Sequence, residues 1–337
     1  MSAPLNDPLK NISRIDLASL PTPVYKLNNL SSELGKEIYV KRDDLTGVET
    51  SGNKVRKLEF AVADALKNNA DVLITCGGIQ SNHCRATAAV AARLGLKSHL
   101  LLRIDDTPPV EGNYLLDKIL GADITFVSRP DYSNRRTEIM EGIAEGYKEK
   151  GLNAYIIPEG ASNGIGNFGY INAVKEAVSQ EKELHIDFDA YVCAVGSGGT
   201  FTGLLLGTKF YAPDKKVIGF TVCDDRSYFA DIAIKTGNDT LDLIGHKDIR
   251  VKDEDINIID GYMGIGYAVS TDDELKFIRD AARKDGVIFD PVYTGKAFRG
   301  LYNEIKKGNI REDKILFFHT GGLYGLFPKQ DQLAWIV

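Results

Sequence analysis

The sequence predicts an α/β fold with a largely parallel sheet, arranged in two packed units. Three observations predict it. Strand-like and helix-like runs alternate along almost the whole chain, the pattern of βαβ layers. Several apolar strands end in glycine and open directly into a helix. The chain has 337 residues, which exceeds what one hydrophobic core ordinarily serves.

Taken in order, Glu37–Lys41 reads as a short strand with a β-branched and aromatic centre. A loop over Leu45–Gly52 follows, then a helix over Lys54–Lys67 with Leu58, Ala61, Val62 and Leu66 on one face. Val72–Thr75 is a strand and Asn82–Leu94 an alanine-rich helix. Residues 98–103 and Asp123–Val127 read as strands, with a helix over 113–120 between them and another over 135–150 after them. A strand at 154–157 leads into a glycine-rich loop over 158–168 and a helix over 169–179. Residues 189–195 have the continuous apolar character of a buried parallel strand, and a helix follows Gly196–Thr200. Residues 217–222 form the next strand, and 238–260 is polar and mixed. The helix expected over 271–285 has a strong start: Ser270 or Thr271 as cap, and Asp273 and Glu274 in the first turn. A last strand, 315–319, leads into Thr320-Gly321-Gly322.

Composition narrows the function classes. The net charge is −6 and no basic stripe occurs, which argues against a nucleic-acid partner. No apolar run approaches a membrane span. Met1–Lys10 lacks the apolar core of a secretory signal, so the expected location is the cytoplasm. The four cysteines form no CxxC pair and read as free thiols, with no metal site expected.

Three junctions and two loops hold chemistry-bearing residues. Lys54 follows Gly52-Asn53 at the mouth of a helix, where a desolvated amine can form a Schiff base; most lysines are simply solvated. Gly196-Ser197-Gly198-Gly199-Thr200 closes an apolar strand and opens a helix. Its glycines let backbone N–H groups approach an anion, and Ser197 and Thr200 add hydroxyls. It lacks the Gly-Lys-Ser/Thr ending of a nucleoside-triphosphate loop, and the alternative is a tight turn without a ligand. Gln80-Ser81-Asn82-His83 sits at another helix start, as a cap or as the cradle of a second anion such as a substrate carboxylate. Tyr267 and Tyr293-Thr294 lie beside turn residues, where a tyrosine can act as an acid. His319, at a strand end, reads more readily as a satisfied core histidine.

Together, Lys41-Arg42-Asp43-Asp44, Gly52–Phe60, Gly78–His83, Gly196–Thr200, Asp290–Lys296 and His319–Gly322 resemble the pyridoxal-phosphate enzymes of the tryptophan-synthase-β type. Within them the resemblance is to the family of D-cysteine desulfhydrase and 1-aminocyclopropane-1-carboxylate deaminase, and it covers essentially the whole chain. Val222-Cys223-Asp224-Asp225 and Gly266-Tyr267-Ala268 look closest to the desulfhydrase branch. The resemblance implies fold type II: two domains of three-layer α/β/α open twisted sheets, the large one from residues 1–53 and 164–337, the small one inserted at 54–163. It implies pyridoxal 5'-phosphate held by Lys54 with Asn53 beside it, its phosphate in Gly196–Thr200 and its ring hydroxyl on Asn82. Ser81, with Gln80, Asn82, His83 and Thr320 nearby, would take a small amino-acid substrate. Tyr267 and Tyr293 would flank it as candidate proton donors. A homodimer is the family expectation.

Thr294 is the discriminating position in this resemblance. The deaminase branch typically carries glutamate there, beside the pyridine nitrogen, whereas a threonine offers no counter-charge. A largely neutral ring suffices for β-elimination, so the resemblance implies D-cysteine cleaved to pyruvate, hydrogen sulfide and ammonia. The alternatives are cyclopropane opening and elimination from D-serine or a sulfonated cysteine analogue. Two departures stand out: Ala161 where relatives usually carry a second glycine, and Leu323-Tyr324-Gly325, which differs from the bacterial desulfhydrases and resembles the plant-type branch.

Overall fold

The structure is a computed structural model that describes residues 7–334 and 336. Among these, six strands form one sheet and four form another. The chain begins with β1 (Val24–Lys26), α1 (Asn28–Leu34) and β2 (Glu37–Lys41), then α2 (Lys54–Lys67). It continues with β3 (Val72–Gly78), α3 (Asn82–Leu94), β4 (Lys97–Arg103), α4 (Gly112–Ile119), β5 (Asp123–Val127), α5 (Arg129–Lys148) and β6 (Ala154–Ile156). After these come α6 (Phe168–Leu184), β7 (Ala190–Val195), α7 (Gly199–Tyr211), β8 (Lys216–Thr221), α8 (Arg226–Leu243) and β9 (Ile258–Ile259). The chain then forms α9 (Asp272–Asp285), α10 (Thr294–Lys306), β10 (Lys314–Phe318) and α11 (Gln330–Leu333).

The large sheet runs β1-β2-β10-β7-β8-β9 and the small one β5-β4-β3-β6, parallel throughout except for β1 against β2. Alternation along the strands sorts the layers. Leu316 and Phe318 of β10, with Tyr191 and Cys193 of β7, pack against Tyr170 and Val174 of α6 and Phe201 and Leu204 of α7. The intervening Ile315, Phe317, Val192 and Ala194 meet Phe298 and Leu301 of α10 on the opposite face. In the small sheet, Val72, Ile74 and Cys76 of β3 face Met140 of α5, whereas Leu73 faces Val62 of α2 and Val90 of α3. Both units are three-layer α/β/α, as the sequence predicts.

Helix α2 is fixed by charge as well as by packing. Buried Arg56 donates two hydrogen bonds to Asp43, at 2.8 and 2.9 Å, and two to Glu176 on α6, at 2.9 and 3.0 Å. Lys41 adds a 2.6 Å bond to the same Glu176. Removing one partner strands the others in the interior, at about 3–5 kcal/mol. The first turn of α2 is therefore clamped where Lys54 emerges. Gly52 can only be glycine: its φ is +107°, and a Cβ would lie 2.8 Å from the Thr320 carbonyl.

Differences from the expected elements have local causes. Strand β3 runs on through Cys76-Gly77-Gly78, paired with Leu101, Leu102 and Arg103 of β4. Helix α5 starts at Arg129 rather than 135, because Ser128 caps it and Pro130 fits its first turn. Helix α8 buries Thr236, Gly237 and Thr240 beside Phe229 and Leu241, which dilutes its apolar period. Leu66 of α2 is exposed, and Thr271 rather than Ser270 caps α9. Ala161 sits at φ +47°, in the left-handed region, where glycine would be the unstrained residue. No helix among the described residues is long and apolar enough to cross a membrane.

Candidate active site

The C-terminal ends of β3, β7 and β10 point at a common cleft, where parallel sheets place their ligands. A cavity of about 610 Å³ lies there, lined among others by Lys54, Ser81, Asn82, Ser197, Tyr293 and Thr320. A second chamber of about 380 Å³ shares Asn82, Arg103, Tyr267 and Tyr293 with it.

Lys54 is the first residue of α2, and its Nζ donates to Asn53 Oδ1 at 3.2 Å. Burial brings its pKa down to about 8, although Glu159 and Asp290 pull it upward. About a tenth of such amines are neutral at pH 7, several hundredfold more than for an ordinary lysine. Asn53 also joins Lys54 to the anion turn: its Nδ2 donates to Thr200 Oγ1 at 2.9 Å.

The turn between β7 and α7 has the geometry of an anion cradle. Gly198 has φ +82°, and a Cβ on Gly199 would lie 2.7 Å from Lys57 Nζ. Ser162 Oγ accepts from the Gly199 N–H at 3.3 Å and meets Ser197 Oγ at 2.8 Å. Lys57 is wholly buried, bonded at 3.2 Å to both the Gly160 carbonyl and Ser162 Oγ. Its pKa falls well below the ordinary lysine value, from burial first and then from Lys54. A phosphate in the turn would pair with this buried amine and favour its charged form. The residues present therefore fit a phosphorylated cofactor. Lys57 and Ser162 are not among the site residues expected from the sequence, although Lys57 lies one helical turn beyond Lys54 and so shares its face.

At the start of α3, Ser81 accepts the Cys84 N–H at 3.2 Å as a cap, which leaves its own hydroxyl proton for the cavity. His83 is buried, with Nε2 at 2.8 Å from Thr75 Oγ1, and its pKa lies well below the ordinary value because of burial and the neighbouring lysines. It is a neutral ring at neutral pH. Gln80 lines the second chamber, but its side-chain amide is engaged by the protein. Its Oε1 accepts from the Asn113 N–H at 2.8 Å and its Nε2 donates to the Glu111 carbonyl at 3.1 Å, so both ends of the amide hold the start of α4.

Thr294 departs from expectation. It is fully buried, its hydroxyl donates to Asp290 Oδ1 at 2.7 Å and accepts from the Asp290 N–H at 2.9 Å, and it is no part of the cavity wall. A short polar side chain at a helix start finds the backbone before it finds a ligand. Thr320, at the end of β10, contributes to the wall instead. His319 is the satisfied histidine expected: Nε2 donates to the Ile288 carbonyl at 2.9 Å and Nδ1 accepts from the Gly321 N–H at 3.2 Å.

Tyr267 and Tyr293 meet hydroxyl to hydroxyl at 2.5 Å. Burial pushes Tyr267 up to about 12 and Tyr293 well above its ordinary value, so both keep their protons at neutral pH. The loop bearing Tyr267 is held by Lys296 of α10, whose buried Nζ donates to the carbonyls of Met263, Gly266 and Val269 at 2.6, 2.8 and 2.9 Å. Lys296→Met should leave those carbonyls without their donor, cost about 2 kcal/mol of stability and release Tyr267. Thermal melting together with kcat checks this: a lower melting temperature with wild-type kcat would mean that the clasp does not position the tyrosine.

A desolvated, part-neutral lysine beside a glycine-rich anion turn, at the ends of parallel strands, defines a site for a phosphorylated carbonyl cofactor. The comparisons agree with that class. The pattern of the family described as pyridoxal-phosphate dependent enzyme matches residues 15–321. A mitochondrial bifunctional D-cysteine desulfhydrase/1-aminocyclopropane-1-carboxylate deaminase of Arabidopsis thaliana is 44% identical over 328 residues, spanning 94% of this chain and 80% of the relative. A D-cysteine desulfhydrase of Salmonella typhi is 39% identical over 332 residues, spanning 95% and 97%. A crystal structure described as an ACC deaminase homologue superposes with a TM-score of 0.88 at 38% identity, covering 98% of both chains. The chain belongs to the pyridoxal-phosphate-dependent enzymes, in the group of D-cysteine desulfhydrase and 1-aminocyclopropane-1-carboxylate deaminase, and its cofactor is pyridoxal 5'-phosphate.

Proposed function

We propose that this chain is a D-cysteine desulfhydrase, which eliminates sulfide from D-cysteine and leaves pyruvate and ammonia after hydrolysis. One observation carries the reading. The Asp290 carboxylate is saturated by the N–H groups of Val292, Tyr293 and Thr294 and by the Thr294 hydroxyl, while the turn after β10 offers the cavity a neutral hydroxyl, Thr320. In this proposal Thr320 takes the place beside the cofactor nitrogen that the sequence reading gave to Thr294, and a hydroxyl there rather than a carboxylate favours the neutral ring. That suits elimination, where the departing group takes the electrons, better than cyclopropane opening, which has no such outlet.

When bound, pyridoxal phosphate supplies the electron sink that lets an α-proton leave. The chain's own residues do the rest. Asn53, Ser162, Ser197, Thr200 and Lys57 hold the phosphate end. The α3 N-terminus, with Ser81, binds the substrate carboxylate through the positive end of the helix dipole. Lys54, with its pKa near 8, is matched to accept a proton from the α-carbon near neutral pH. The Tyr267–Tyr293 pair holds a proton for the departing sulfur.

Cyclopropane opening is the second reading, favoured by the Arabidopsis relative whose name carries both activities. A product panel separates the two. D-cysteine should yield sulfide, pyruvate and ammonia in equal amounts, at a kcat/KM at least about tenfold above that for L-cysteine, D-serine or the cyclopropane substrate. Ammonia from the cyclopropane substrate without sulfide from D-cysteine overturns the proposal.

A further inference from the structure

Asn82 of α3 presents a carboxamide to the cavity, and which end faces inward decides whether position 82 donates or accepts there. Neighbouring groups with only one hydrogen-bonding character settle the orientation. Arg85, fully buried one turn along α3, donates from Nε to Asn113 Oδ1 at 2.8 Å. A guanidinium has no acceptor, so the Asn113 atom facing it is the oxygen. At the other end, Asn113 Nδ2 lies 2.9 Å from the Gln80 carbonyl oxygen, which has no proton to give. The Asn113 amide is thus oriented twice over, from opposite ends. The same Nδ2 donates to Asn82 Oδ1 at 3.0 Å. The oxygen of Asn82 is engaged, and the end left for the cavity is its NH₂ group.

Asn113 is completely buried, and Arg85 is itself held by the carbonyls of Glu49 at 2.6 Å and Ser51 at 2.7 Å. Those carbonyls lie in the loop that leads into Asn53-Lys54. The chain of bonds therefore couples the segment before Lys54 to the donor at position 82.

We infer that Asn113 is a positioning residue: polarised by Arg85, it makes Asn82 a hydrogen-bond donor toward the ring hydroxyl oxygen of pyridoxal phosphate. This rests on the reading that Asn82 meets that oxygen. A donor there stabilises the ionised oxygen, whereas an acceptor would favour the protonated oxygen. The relay fixes the ring's ionisation without touching it.

The test is spectroscopic. Asn113→Asp changes one group: a carboxylate still accepts from Arg85 but cannot donate to Asn82. Asn82 must then turn its NH₂ toward residue 113 and its oxygen toward the cavity. The bound cofactor's visible band should give way to a near-ultraviolet band at unchanged pH, and its dissociation constant should rise about tenfold. Asn113→Ala, which neither donates nor accepts, should free both orientations and give a mixture of the two bands. The far-ultraviolet circular dichroism of both apoproteins should match the wild type. Asn82→Asp, which places an oxygen in the cavity directly, separates the two layers of the inference. If Asn82→Asp moves the band while both folded Asn113 variants keep the wild-type spectrum, the relay is wrong and the reading of Asn82 stands. If none of the three moves it, the reading of Asn82 falls, and the relay with it.

Discussion

Lys54→Ala should lose turnover by at least about 10⁴-fold, because two roles vanish with one amine: covalent attachment of the cofactor and proton transfer at the α-carbon. The helix should survive, since alanine is a better helix former than lysine and the Arg56 clamp is untouched. The variant should bind pyridoxal phosphate reversibly through the anion turn, without the borohydride-stable link that the wild type forms. Lys57→Met is the informative contrast. It should keep the covalent link but bind the cofactor more weakly, because Lys57 serves the phosphate end. The pKa of Lys54 adds a pH signature. Only the neutral amine reacts with a carbonyl, and burial has lowered the pKa to about 8. Covalent capture of the cofactor by apoprotein should therefore rise as pH increases through about 8, not 10.5, and fall away below it. Stopped-flow absorbance across that window measures it. Full activity of Lys54→Ala would be fatal to the scheme.

The second large effect is at the tyrosine pair. Tyr267→Phe and Tyr293→Phe should each lower kcat on D-cysteine by about 10²–10³-fold, the range for losing a positioned proton donor. The hydroxyls lie 2.5 Å apart and act as one unit, so the double variant should be little worse than the poorer single one. Chemistry separates donor from scaffold. Thiolate leaves more readily with a proton, whereas chloride needs none, so 3-chloro-D-alanine should be turned over by the phenylalanine variants far closer to the wild-type rate. Equal losses on both substrates would make the tyrosines packing groups.

Much of the site was legible in the sequence because its residues cluster at strand ends. Lys54, Asn82, Ser197 and Thr200 lie at or beside helix starts that glycines announce, and the structure gathers them at one cavity. The sheet strands were legible wherever they are apolar through and through, as in β7 and β10. Helices α8 and α10 were not: Thr236 and Gly237 interrupt the buried face of the first, and Thr294-Gly295 disguised the start of the second, whose Ala297, Phe298, Leu301 and Ile305 keep helical spacing. Gln80 and Thr294 sit in the right motifs but turn their polar groups to α4 and Asp290, a choice made by tertiary partners that local sequence does not encode. Asn113 and Lys296 stand far in sequence from the groups they orient; nothing near Asn113 marks it, and the motif that ends at Lys296 does not reveal which carbonyls it holds.

Two lysines with depressed pKa values, the half-buried Lys54 and the buried Lys57, lie one helical turn apart beside the glycine-rich turn. Only the first ends at the cavity wall; the second ends beneath Gly199. Borohydride reduction of the yellow holoenzyme, followed by digestion and mass spectrometry of the peptide spanning both, tells them apart. The account predicts one phosphopyridoxyl group, on Lys54. A label on Lys57, or on any lysine outside this helix, would contradict it.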